Sequence, residues 1–164
     1  MWLWQTFKYN VSGILLWQST YVHSVTAYPD SLQNPYNDAM SWATGYGLTR
    51  GERYGWGNGD GRFFYPPITT KTGGLADDDD EIVESLRFEI LREGVEDYEY
   101  LSLLKKLLNA KKSVLSADEI QRYEDLLIIP ENITKSISSY SFFVQPILER
   151  RNQIAEAIEE LVQK

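Results

Sequence analysis

The segment Tyr54–Pro67, YGWGNGDGRFFYPP, gathers side chains that could hold a ligand. Its rings, Trp56 foremost, offer flat faces that stack on a sugar, on a base or on one another in a core. Asn58 and Asp60, each set between glycines, suit left-handed or tight-turn backbone. The segment therefore reads in two ways: a shaped turn whose Asn and Asp bond backbone, or a loop that touches a ligand directly. The chain's five Trp and eleven Tyr make aromatic faces its main chemical resource. A net charge of −8 sets nucleic acid aside, because phosphate backbones need a basic stripe. Core packing and sugar stacking remain.

Other reactive patterns are thinner. The absence of cysteine removes disulfides, thiolate chemistry and cysteine-ligated zinc, and it decides no compartment. The single histidine, His23, cannot build a multi-histidine metal site and reads as an ordinary loop residue. The acidic run ADDDDE at 76–81 does not fit calcium, since consecutive Asp side chains diverge where a site needs convergent oxygens. No metal or cofactor is expected. The pairs Lys105–Lys106 and Lys111–Lys112 read as solvated helix ends. No apolar run reaches membrane-spanning length, and MWLWQTFKYN lacks the basic-then-apolar order of a signal peptide. No membrane partner is expected.

The elements that would position these residues change character near Asp77. MWLWQTFKYN reads as the tail of an amphipathic helix with Leu3, Trp4 and Phe7 on one side, stopped by Asn10 and Gly13. The apolar run Gly13–Thr20 fits a strand buried on both faces. Tyr21–Gly55 reads as a long loop with a helical turn near Asp38–Ala43, and Arg62–Tyr65 as a second short strand closed by prolines. Beyond, Asp78 and Glu81 have capping-box spacing before a long helix over 85–108, whose stripe is Ile90, Leu91, Val95, Tyr98, Leu101, Leu104 and Leu108. Ser116 with Glu119 opens another helix that Pro130 ends. Pro146 begins the last, striped by Ile147, Arg151, Ile154, Ile158, Leu161 and Val162, with the arginine's methylenes covering apolar surface. One domain is expected over 1–164, with a strand-and-loop part at 1–76 and a helical part at 77–164.

Three words in this order carry a resemblance: FKYNVSGILLW at 7–17, WGNGDGRFFYP at 56–66, and SLRFEILREGVEDYEYLSLL at 85–104. Together they resemble the C-terminal catalytic-barrel family called domain of unknown function 4091, which is similar to the family 123 glycoside hydrolases. The likeness covers Trp4 to Leu108, is looser over RRNQIAEAIEEL, and in the middle loop rests on NPYND. It implies an α/β fold, the C-terminal portion of a TIM-like (β/α)8 barrel with Gly13–Ser19 and Arg62–Tyr65 as its last two strands and the 85–108 helix packed outside. An isolated chain of this kind would be mostly α with a few short strands. It also implies that the chain is a fragment, because strands one to six have no counterpart.

The resemblance further implies substrate-assisted cleavage of N-acetylated hexosides, in which an Asp orients the acetamido group and an adjacent Glu protonates the leaving oxygen. Two Asp–Glu pairs occur, Asp80–Glu81 and Asp118–Glu119, and both open helices, where acidic residues favour the macrodipole. Neither follows an apolar strand. No catalytic residue is assigned, and whether the chain is itself an enzyme stays open. In the REGVEDYEYL word, Glu96 and Asp97 point about 100° apart and cannot share a proton. Gly94 in mid-helix calls for a close neighbour. Arg92 should pair with Glu96, and Glu89 with Arg92.

The candidate carbohydrate contacts are Trp17, Gln18 and Tyr21 after the first strand, with Trp56, Asn58 and Asp60 in the glycine-rich loop. Three functions compete: a C-terminal piece of a glycoside hydrolase lacking its catalytic pair, a carbohydrate-binding module on Trp and Tyr platforms, and a helical interaction domain. Two strands alone leave apolar surface uncovered. Self-association, or binding of a complementary N-terminal part through the strand region, is therefore expected.

Overall fold

In a computed structural model, the chain is described at residues 1–16, 19–20, 36, 41–43, 53–55, 61–65 and 82–164. These form a mixed α/β structure that is mostly helical, with four helices and three two-stranded antiparallel sheets. The chain divides into two compact units, one of residues 1–14 and 92–164, the other of residues 15–91.

The first unit is a helical core. α1 spans Trp2–Lys8 and buries Leu3, Trp4 and Thr6. It stops where expected, with Asn10 at φ 51°, the left-handed conformation that asparagine tolerates. α2, Leu86–Lys111, buries Gly94, Asp97, Leu101, Leu104 and Leu108, one face at three- and four-residue spacing. Leu3 explains Gly94, because its Cδ2 lies 3.1 Å from the point a β-carbon would occupy. α3, Ala117–Leu127, opens with the expected box: Ser116 accepts from the Glu119 N–H at 3.3 Å, and Glu119 accepts from the Ser116 N–H at 2.8 Å. It ends at Leu127, ahead of Pro130. α4, Gln145–Gln163, carries Pro146 in its first turn and buries Ile154, Ala157 and Leu161. Trp4, Tyr123, Ile129 and Ile133 complete the core with the buried leucines of α2. Between α3 and α4 lies a hairpin that the sequence reading missed, β5 (Thr134–Ser136) against β6 (Ser139–Tyr140).

In the second unit, β1 (Ser41–Ala43) pairs with β2 (Arg53–Gly55), and β3 (Phe64–Tyr65) pairs with β4 (Val83–Glu84). Backbone partners decide these elements. The helical turn expected at Asp38–Ala43 is overruled at Ser41–Ala43, which lie in an antiparallel ladder; residues 38–40 are outside the described set. The long helix does not begin behind the Asp78–Glu81 box, which is also outside that set. Val83–Glu84 is extended, and Ser85 takes the capping role, accepting from the Phe88 N–H at 3.3 Å.

The apolar run after α1 departs furthest from expectation. Residues 13–16 form no strand and Leu15 is 81% exposed. A strand buried on both faces needs neighbours on both sides, and these residues have no ladder. The run's end does find a partner, since Thr20 bridges Arg62 in antiparallel sense. The predicted stripes are likewise covered only in part, with Ile90, Val95 and Val162 exposed. Leu104→Ala should cost about 2–5 kcal/mol in urea unfolding, whereas Ile90→Ala should stay within about 0.5 kcal/mol. Equal losses would mean that Ile90 is covered in solution.

Candidate functional site

The expected sugar contacts Trp17, Gln18, Tyr21, Trp56, Asn58 and Asp60 all lie outside the described residues, as do His23, Asp80 and Glu81. The backbone that flanks them is described. The Ser19 carbonyl accepts from the N–H groups of Phe63 and Phe64, each at 2.9 Å, beside the Thr20–Arg62 bridge. The segment between Gln18 and Tyr21 thus runs against the one that leaves the glycine-rich loop. Gly61, first described residue after that loop, has φ 73°, which glycine adopts without steric cost. The Arg62 carbonyl accepts from the Ser85 hydroxyl at 3.3 Å, anchoring this backbone to the start of α2.

Side chains on the same segment form an aromatic and cationic cluster. Tyr65 lies edge-on to Tyr36, with ring centroids 5.1 Å apart at 87°. Arg87 Nη1 donates to the Tyr65 hydroxyl at 3.2 Å. Burial, and then the neighbouring Tyr65, push the Tyr36 hydroxyl above its ordinary range. Phe64 and Phe88 pack at 4.5 Å behind. Phenols and a guanidinium around ring faces can stack on and hydrogen-bond a hydroxylated ligand. Tyr36 and Arg87 were not singled out from sequence. The available signal was that Tyr36 sits in NPYND and Tyr65 in the aromatic stretch.

In the helical unit, Asp97 and Glu93 converge on Arg151. Asp97 is 5% exposed and accepts from Trp4 Nε1 at 2.7 Å and from Arg151 Nε. Arg151 also donates from Nη1 to Glu93 at 3.0 Å. Hydrogen bonding to Asp97 raises the guanidinium's pKa further above neutrality. Arg151, expected to cover apolar surface with its methylenes, also carries an ion-pair hub at its head group. Glu96 faces the other way and meets Arg92 at 3.4 Å, the expected pair. Among the described residues, no group of three or more His, Cys, Asp or Glu could hold a metal ion, and no helix is long and apolar enough to cross a membrane.

Glu119 is unsuited to acid catalysis. A hydrogen bond from Lys164, then bonds from the Ser116 N–H and hydroxyl, hold its pKa down to about 2. A general acid near neutrality needs the opposite shift. The chain matches no protein-family model, no curated protein and no solved structure.

Two outcomes test these assignments. Asp97→Ala should cost about 3 kcal/mol or more, because it removes the acceptor of the buried Trp4 indole and one of the two carboxylates that hold the half-buried Arg151, while Arg92→Ala at the exposed pair should cost about 0.5 kcal/mol at most. Equal losses in urea unfolding would remove Asp97 from its central role. For Glu119, a folded pKa below the unfolded value gives stability that is present above the usual carboxylate range. That stability is lost as pH falls from about 4.5 towards 2. Glu119→Gln should therefore be less stable than the parent at neutral pH and equal to it near the bottom of that window.

Proposed function

We propose that the chain is the C-terminal part of a glycoside-hydrolase-like (β/α)8 barrel acting on N-acetylated hexosides, and that it is inactive by itself. The observation that carries this reading is the ordered occurrence of three long words, at 7–17, 56–66 and 85–104. The contacts of Ser19 and Thr20 with Arg62–Phe64 join the flanks of the two expected sugar-contact clusters, in an antiparallel sense that differs from the parallel strands of a closed barrel. In this reading, Trp17, Gln18, Tyr21, Trp56, Asn58 and Asp60 face the sugar, while the orienting Asp and acidic Glu come from a strand outside this sequence.

The decisive observation is the DNA adjoining the coding sequence. Further apolar strands and an Asp–Glu pair at the end of one of them, encoded upstream, would bear the reading out. Upstream DNA encoding no such segment in any frame would overturn it. The purified chain should show no hydrolysis of aryl β-N-acetylgalactosaminides. Turnover that disappears in Asp118→Ala or Asp80→Ala would place the chemistry within this chain.

A carbohydrate-binding module is the second reading, favoured by the Tyr36–Tyr65–Arg87 cluster. It requires saturable binding of N-acetylhexosamines by the chain alone, lost in Tyr65→Ala.

A further inference from the structure

The most exposed rings of the helical unit lie together in sequence. Phe142 is 91% exposed and Phe143 79%, with Ile137, Tyr140 and Val144 also exposed around them. They stand on an ordered frame. The Ser141 N–H donates to the Ile133 carbonyl at 2.9 Å, continuing the β5–β6 hairpin. The Ser141 hydroxyl accepts from the Phe143 N–H and donates to its carbonyl, each at 3.0 Å, which pins the turn carrying both phenylalanines. Gln5 donates to the carbonyls of Ser136 at 3.1 Å and Ile137 at 3.3 Å, and Lys8 to that of Thr134 at 2.5 Å. α1 thus holds the hairpin from the β5 side. Tyr140 and Phe142 pack with centroids 5.5 Å apart.

We propose that this face, Ile137, Tyr140, Phe142, Phe143 and Val144 at the hairpin and the start of α4, is a homotypic contact that seats a second copy of this chain. Charge argues for that occupant. From Ser136 to Leu148 no residue is charged, in a chain whose net charge is −8. Two such chains repel where their acidic faces meet. Here the same surface can lie against itself with no charge opposed to charge, as a two-fold contact requires. Size is adequate as well. Three rings offer on the order of 500 Å² per copy, and with Ile137 and Val144 they approach the ~800 Å² that a standard interface takes from each partner. Exposed aromatics at the centre of an uncharged patch are the residue type that dominates interface energies.

This contact does not depend on the glycoside-hydrolase reading, and it differs from the strand-region association expected from sequence. The test is sedimentation velocity on the full chain over a range from micromolar to millimolar. The parent should pass from monomer to dimer with little change on adding salt. Phe142→Asp and, separately, Ile137→Asp should each weaken the dimer by about tenfold or more, with unchanged helical circular dichroism because both side chains protrude. Ile90→Asp, on the other exposed apolar face, should leave it intact. A chain monomeric throughout the range would overturn the proposal. So would association removed by Ile90→Asp but not by Phe142→Asp, or sedimentation with phosphatidylcholine vesicles by a chain that is monomeric in solution.

Discussion

A buried carboxylate sets the terms of the helical unit. Asp97 sits almost out of water and is satisfied by the Trp4 indole of α1 and the Arg151 guanidinium of α4. Removing a charge from water costs several kcal/mol unless partners restore its hydrogen bonds. Each partner therefore fixes the placement of its own helix: α1 cannot slide along α2 without stranding Asp97, nor can α4 turn without stranding Arg151. Glu93 takes the rest of the guanidinium, one turn earlier on α2. Such a network adds little net energy over an apolar core of the same shape. What it adds is register, because it ties α1 and α4 to neighbouring turns of α2.

Gly94 belongs to the same constraint. For Trp4 to reach Asp97, α1 approaches α2 closely, and Leu3 Cδ2 then lies 3.1 Å from the point a β-carbon would take at position 94, a tight contact. Glycine at mid-helix costs about 1 kcal/mol in propensity relative to alanine, and the close approach offsets it. Phe7 meets Tyr98 edge-on at 5.8 Å and extends the contact by another turn. Along α2 the apolar residues are open towards the N-terminal end and covered towards the C-terminal end. Leu101, Leu104 and Leu108 are buried, whereas Leu86 and Ile90 are largely exposed.

Side-chain pattern made some of this legible and left other parts silent. Helix periodicity and caps located α1, α2, α3 and α4, because a 3.6-residue stripe and a Ser-x-x-Glu box are local signals. The Arg92–Glu96 pair followed from spacing on one helix, and the close neighbour of Gly94 from the cost of glycine in mid-helix. Pairings between distant segments did not. Nothing in TKSISSY announces a hairpin, and nothing in SWA announces a partner at 53–55, since polar and small residues give no period-2 alternation. The apolar run at 13–16 misled for the converse reason: its composition suits a central strand, and composition cannot supply the neighbours such a strand requires. The role of Arg151 escaped because a lone arginine in a stripe gives no sign of the carboxylate that will meet its head group.

The densest word of the resemblance is spent on this architecture. In REGVEDYEYL, Glu93 and Asp97 bind Arg151, Gly94 admits Leu3, Tyr98 packs on Phe7, and Leu101 is in the core. Each of these positions answers a packing or pairing need, and a substitution at any of them would be felt in stability before it was felt in chemistry. A likeness carried by such a word speaks first to how helices are joined. Activity depends on a separate constellation of groups at strand ends. The Arg62–Tyr65 segment is where the two meet in this chain: its backbone is fixed by Ser19 and Ser85, while Tyr65, Tyr36 and Arg87 bring rings and a cation to one place. Recognition of a hydroxylated ligand needs that combination of rigid backbone and adaptable polar rim.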